Sequence, residues 1–273
     1  MSNAEPNPAN FLTMNPRAEV ILGLLQQVAH ERRRRGSQPG LQAAVAAVKH
    51  YQQQRFMHTY ADLLGSERYG AATDFFLDEL YGPRDFSQRD AQFLRVVPTL
   101  VRLFPASIVD TVETLARLHA LSEQLDSEMG IHLGPRPLAA ETYIDIWQTT
   151  ARRRDRRLQI DLTLAVGSAL DRYTRQPLLR QTLKMMRGPA KAAGLGELQR
   201  FLETGFDTFK QMSGAKDFLE IIRGREQALA DALFAFPRVQ ARRNGSKPEA
   251  TAPSALDLLP PTASPNRPFQ AQK

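Results

Sequence analysis

The sequence predicts an all-α protein: a single multi-helix bundle of about eight to nine helices with a disordered C-terminal tail. Three observations predict it. Apolar residues recur at three- and four-residue spacing through almost every segment of 38–237. No convincing alternating strand and no Asn-Gly hairpin interrupts them. Past Pro237 the composition changes to Pro, Ser, Thr, Ala and Gln, with six of the eighteen prolines in 238–273.

The elements follow in order. Residues 1–16 read as a disordered N-terminus. Residues 17–37 read as an amphipathic arm helix and hinge. Ile21, Leu24, Leu25 and Val28 form its stripe, Arg32 to Arg35 sit where cations complement a helix dipole, and "GSQPG" is the hinge. Such a stripe needs a partner, since a lone helix of this length is marginal in water. The expectation is protein contact, with the same chain, a homodimer or another protein. Glu19 and Glu31 weigh against a membrane-surface role.

Within 38–237, Leu41, Val45, Val48, Gln52, Phe56, Tyr60 and Leu63 trace one face of a first long helix. Tyr69, Thr73, Phe76 and Leu80 trace a second. Phe93, Val97, Leu100, Val101 and Phe104 trace a third, which contains Pro98 and is expected to kink or start late. Ile108, Val112, Leu115, Leu118, Ser122, Leu125 and Met129 trace a fourth, ended by "HLGPRP". Tyr143, Ile146 and Trp147 mark a fifth; Leu158, Leu162, Ala165, Val166, Ala169 and Tyr173 mark a sixth. Leu179, Leu183 and Met186 make a short seventh. Leu195, Leu198, Leu202, Gly205, Phe209 and Met212 make an eighth, and Phe218, Ile222, Leu229, Leu233 and Phe236 a ninth. Residues 238–273 read as a disordered Pro-rich tail, because they hold too little apolar surface to offset ordering entropy.

Composition excludes several functions. With no cysteine, disulfides, Cys-based zinc sites, iron–sulfur clusters and thiol nucleophiles are ruled out, and the chain has no need of an oxidising compartment. No basic leader precedes an apolar run, and no run approaches the roughly 20 residues that span a bilayer. The expected compartment is the cytoplasm. The net charge of +7 is concentrated at the ends: +2 in 1–37, +4 in 238–273 and only +1 in 38–237. That distribution argues against a folded nucleic-acid face.

"FFLDELYGPRDFSQRD", Phe75 to Asp90, gathers four acids around Gly-Pro. It reads as a corner between helices. Gly82 ends one helix, Pro83 blocks its continuation, and Asp85 caps the next with Gln88 at capping-box spacing. The competing reading is a metal site at Asp74 and Asp78 with Asp85 or Asp90. The chain has no Glu-x-x-His, so no metal ligand is assigned.

This stretch, "LVRLFPASIVDTVETLARLHALSEQLD" and "LLRQTLKMMRGPAKAAGLGELQRFLETGFDTF" resemble an uncharacterised family of conserved hypothetical proteins from proteobacteria. The resemblance covers residues 40–236. It implies a bacterial, cytosolic, helical protein and brings no activity or catalytic residue.

The five histidines His30, His50, His58, His119 and His132 are dispersed. His119, on the apolar face of the fourth helix, is the candidate for a haem or another buried ligand; its competing reading is a hydrogen-bonded core residue. Arg152, Arg153, Arg154, Arg156 and Arg157 are candidate anion or partner contacts, some paired with acids such as Asp155 and Asp161. Lys191, beside Gly194-x-Gly196, is a second anion candidate at a helix start. No nucleotide-binding, hydrolase or kinase motif occurs, and no catalytic residue or cofactor is assigned. The reading that follows is a non-catalytic helical scaffold or interaction protein. The alternatives are a binder of a buried small ligand or haem, and a nucleic-acid-associated protein acting through its arginines.

Overall fold

The computed structural model describes residues 15–79, 86–237 and 254–261. Among them run α1 (Pro16–Ser37), α2 (Leu41–Thr59), α3 (Ala61–Leu64), α4 (Gly70–Glu79), α5 (Ser87–Leu103) and α6 (Ala106–Leu133). There follow α7 (Ala140–Thr150), α8 (Arg153–Thr174), α9 (Pro177–Met185), α10 (Arg187–Ala192), α11 (Gly196–Gln211) and α12 (Lys216–Ala235). No strand occurs among the described residues. The fold is the expected all-α bundle. Each expected helix is present, and the additional elements are short. The first long helix breaks at Tyr60, whose backbone (φ −116°, ψ 23°) leaves the helical region, so α3 follows α2 as a single turn. The seventh helix likewise continues as α9 and then α10. α5 runs through Pro98 without interruption.

The 28-residue α6 is the axis on which α1, α2, α7 and α8 pack. α1 is not a free arm. Asn15 accepts a hydrogen bond from the Arg17 amide (3.0 Å) and Pro16 occupies the first turn, which fixes the helix start. Ile21 and Leu25 then join Val97, Val109 and Ala116 in a cluster between α1, α5 and α6. Val28 is also buried and Leu24 partly so. Burying the three fully covered side chains contributes on the order of 5–9 kcal/mol before entropy. The partner of the stripe is thus the chain itself.

Two larger clusters fill the rest. Val48, Tyr51, Met129, Tyr143, Trp147 and Leu233 join α2, α6, α7 and α12. Phe56, Phe76, Phe209 and Phe218 join α2, α4, α11 and α12, with aromatic pairs such as Phe76–Phe209 at 5.9 Å. Ala255 and Leu259 are buried in the first of these clusters. The tail expectation therefore differs at 254–261, where "SALDLLPP" offers apolar side chains that the surrounding Pro/Ser/Thr-rich sequence lacks. Asp257 ties the segment, accepting from the Ser254 amide at 3.0 Å. The remainder of the expected tail, 238–253 and 262–273, lies outside the described residues, as do 1–14.

The expected faces hold for α2, where all seven named residues of the α2–α3 face are buried. They fail in places. Leu158, Leu202, Phe104 and Met186 are exposed. On α8 the inward positions go to Arg156, Thr163, Leu164, Val166 and Gly167, so Leu158 is rotated out.

Close packing sets two opposite expectations for glycine. A Cβ on Gly130 of α6 would lie 2.5 Å from Val45 Cγ2 and 3.2 Å from the Val45 amide nitrogen, so α2 would have to move. Gly224, at an exposed position of α12, has nothing within 4 Å of such a Cβ. Gly130→Ala should lower stability by about 1–3 kcal/mol through overpacking. Gly224→Ala should raise it by about 0.5–1 kcal/mol through helix propensity. Urea unfolding of both variants checks the pair, and equal signs would count against the α2–α6 contact as described.

Candidate functional site

α6 buries two acids, Glu123 and Asp126, beside the expected apolar face. Glu123 pairs with Arg35 (2.5 Å) from α1 and Lys49 (2.8 Å) from α2, with Arg32 at 3.7 Å. Arg35 also donates to Ser127 Oγ (2.9 Å) and to the Glu123 carbonyl (2.5 Å). Arg32 reaches Asp90 of α5 at 2.8 Å. Asp90 also bonds His119 (2.9 Å), and the adjacent Arg89 pairs with Glu79 of α4 (3.1 Å). Arg200 of α11 closes on Glu79 at 2.9 Å. One chain of charges thus links six helices. Burial alone would raise the Glu123 carboxyl; Lys49 and Arg35 outweigh it and lower it from 4.5 to about 2. Desolvation dominates at Asp126, one helical turn on, and raises its carboxyl although Lys49 lies 3.8 Å away.

A second polar group lies between α2, α7, α8 and α12. A cavity of about 30 Å³ is lined by Arg55, Tyr143, Trp147, Arg156, Gln159 and Glu226, among others. Arg55 pairs with Glu226 at 2.5 Å, and the Tyr60 hydroxyl donates to the same carboxylate oxygen at 2.8 Å. Desolvation pulls the Arg55 guanidinium down, and Glu226 more than offsets that, holding it above its ordinary value. Arg156 stacks on the Trp147 ring (4.0 Å) and donates to Gln159 Oε1 (3.0 Å) and Met129 Sδ (2.8 Å). No carboxylate comes within 4 Å of it among the described residues, and burial pulls its guanidinium below the ordinary arginine value. A cavity of this volume suits one or two waters or a small ion, and is far too small for haem.

The sequence-derived candidates fall as follows. His119 is the hydrogen-bonded residue of its competing reading, held by Asp90 and partly exposed. The arginine run is divided among acids. Arg152 pairs with Glu128 (2.5 Å) and Asp155; Arg153 and Arg157 share Asp231 at 3.2 and 3.5 Å. Asp161 pairs with Arg223 rather than with the run. Arg156 is buried, and Arg154 alone of the five is exposed without an acid within 4 Å among the described residues. Lys191 lies in the last turn of α10, not at a helix start. The start of α11 is already served, because Gln92 Oε1 accepts from the Leu198 amide at 2.9 Å. Gly82 and Asp85 lie outside the described residues. α5 begins at Ser87 after Phe86, which makes no capping bond, and Gln88 is exposed in the first turn. Asp74 and Asp78 share α4, and no group of three metal-ligating side chains occurs among the described residues. Burial, with Asp78 adding to it, raises the Asp74 carboxyl.

The surface carries one feature that the sequence reading missed. Leu178, Met185 and Met186 are 76%, 66% and 46% exposed, on and just after α9. Leu178 and Met185 are seven residues apart, two turns along one side. The opposite side, Leu179 and Leu183, packs with Tyr173, Phe206 and Ile108. Residues 172–191 hold six cations and no acid. Arg175, Arg180 and Arg187 have acidic partners in Asp171, Asp207 and Glu203; Arg172, Lys184 and Lys191 have none within 4 Å among the described residues. The signal that would have found this face is a nine-residue helix with more apolar positions than one buried side can use.

Residues 31–238 match the model of a family described as a domain of unknown function (DUF8198). No curated protein and no solved structure matches the chain. No helix among the described residues is long and apolar enough to cross a membrane.

Glu123 gives a prediction with a definite sign. Its folded pKa lies below its unfolded value, so its contribution is complete above about pH 4.5 and is lost as pH falls through about 2. Glu123→Gln leaves the buried Arg35 without its acidic partner and removes the nearer acid of Lys49, and should cost about 3–5 kcal/mol at pH 7. The gap between wild type and variant should narrow on acidification toward pH 2.5. Denaturant unfolding across that range checks it; a pH-independent gap would remove the electrostatic account.

Proposed function

We propose that the chain, which belongs to the DUF8198 family, is a non-catalytic helical interaction protein that docks an acidic, amphipathic segment of a partner on the outer side of α9 and α10. One observation carries this reading: Leu178, Met185 and Met186 stand exposed together within a stretch that has six cations and no acid. A partner segment with apolar side chains at helical spacing and acids beside them matches both features. Bundle packing supports the reading, because the inner side of α9 is fixed on α8 and α11 while Leu178 and Met185 on the outer side are exposed among the described residues. The setting in this reading is the cytoplasm of a bacterial cell. It rests on the family resemblance and on a cysteine-free chain that needs no oxidising compartment.

The nucleic-acid reading has less support. Three of the five arginines in 152–157 are paired with acids and a fourth is buried, which leaves little unpaired charge there.

The test uses the full chain with a photocrosslinking residue at position 185 and, as control, at exposed position 224. Position 185 should give a discrete protein adduct in the producing cell, and Leu178→Glu should abolish it. That substitution touches only an exposed position, so stability should change by no more than about 0.5 kcal/mol. The isolated complex should weaken as salt rises. No adduct from 185, or flotation with phosphatidylserine vesicles that Leu178→Glu removes, would overturn protein docking, the second outcome in favour of a lipid surface.

A further inference from the structure

The cavity between α2, α7, α8 and α12 holds more buried positive charge than its acids balance. Arg55 and Glu226 form one neutral pair. Arg156, 5% exposed, has only neutral hydrogen-bond partners and an indole face. The two acids that act on it from beyond 4 Å, Asp126 and Glu128, each have a closer cation, Lys49 at 3.8 Å and Arg152 at 2.5 Å. Two further donors are unused: Arg55 Nε and Trp147 Nε1 are buried with no hydrogen-bond partner. A buried cation without a counter-charge is strongly unfavourable, and so is each unmade hydrogen bond to a buried donor. Water in the cavity would satisfy donors but would leave the charge.

We infer that this cavity is a binding site for a small monovalent anion, coordinated by the Arg156 and Arg55 guanidinium groups beside the Trp147 and Tyr143 rings. Arg55, Arg156 and Trp147 supply the donors that an anion requires, and the Glu226 carboxylate in the lining is engaged by Arg55 and Tyr60. The volume of about 30 Å³ admits a chloride-sized ion or a carboxylate end, and is too small for a sugar acid or a nucleotide. Gln159, Ile160 and Glu226 are only partly buried and form the outer edge by which an ion enters. Glu226 sets the selectivity. Its charge is committed to Arg55 and Tyr60, so the site has one net positive charge to offer and favours a monovalent over a divalent anion.

Trp147 is the single tryptophan of the chain and a built-in reporter. Its emission and the melting temperature are followed as sodium chloride, or sodium acetate, replaces sodium gluconate at fixed ionic strength. The expected result is a saturable emission change and a higher melting temperature in chloride than in gluconate. An equal response to acetate would identify a carboxylate end as the matching chemistry; a response to chloride alone would identify the free ion. The variant Gln159→Glu puts a carboxylate on the atom that already accepts from Arg156. It should raise the melting temperature in gluconate and weaken the anion response by at least about tenfold. Superimposable wild-type curves in all three salts would overturn the site without reference to any variant. So would a Gln159→Glu protein that keeps its helical spectrum and responds to chloride as wild type does.

Discussion

Six helices meet through the Glu123 carboxylate and the charges it organises. An acid buried in a bundle must be met by cations or be protonated, and here Arg35 and Lys49 meet it from two different helices. Those two cations come from elements flanking the α1–α2 turn, so the ion pair fixes where that turn sits on α6. The same logic repeats outward. Arg32 holds Asp90, which positions α5, and Arg89 and Arg200 share Glu79, which joins α4 to α11. Apolar burial is non-directional, whereas a buried carboxylate with named partners adds a directional constraint on alignment.

Such a network is a poor source of net stability, because desolvation offsets most of the Coulombic gain. Its effect is on register. α1 illustrates the division of labour. Ile21, Leu25 and Val28 supply the burial free energy, and Arg32 and Arg35, one to two turns further on, determine the alignment. The matched family range begins at residue 31. It therefore includes both arginines and excludes the whole apolar stripe, Ile21 to Val28.

The helices were legible in the sequence because their signal is local. The Leu41-to-Leu63 face, the close of α6 at Gly134 and the aromatic face of α7 all follow from spacing alone. What was not legible is what happens when a charged residue takes an inward position. Arg156 points into the core and rotates Leu158 outward, and apolar periodicity cannot see that exchange. Arg55 sits between Gln52 and Phe56 on a face that otherwise reads as apolar, and its partner Glu226 lies 171 residues away. No local pattern joins them. His119 was visible as an inward histidine, but its partner Asp90 was read as part of a helix corner. The Ala255–Leu259 anchor was hidden by the proline-rich composition around it.

The interior and the surface differ in how their charges are settled, and the contrast bears on function. Around Glu123 nearly every cation has an acid, and the result is a fixed framework. At the Arg156 cavity and along α9–α10 cations remain without acids, in one place buried and in the other exposed beside apolar side chains. A buried excess can be neutralised only by something small enough to enter, since the helices around it are tied through α6 and α12. An exposed excess with Leu178 and Met185 beside it calls for something large, because covering those two side chains requires an extended apolar surface. On the readings proposed above, the two sites share the bundle's positive charge and differ in the size of ligand each would accept.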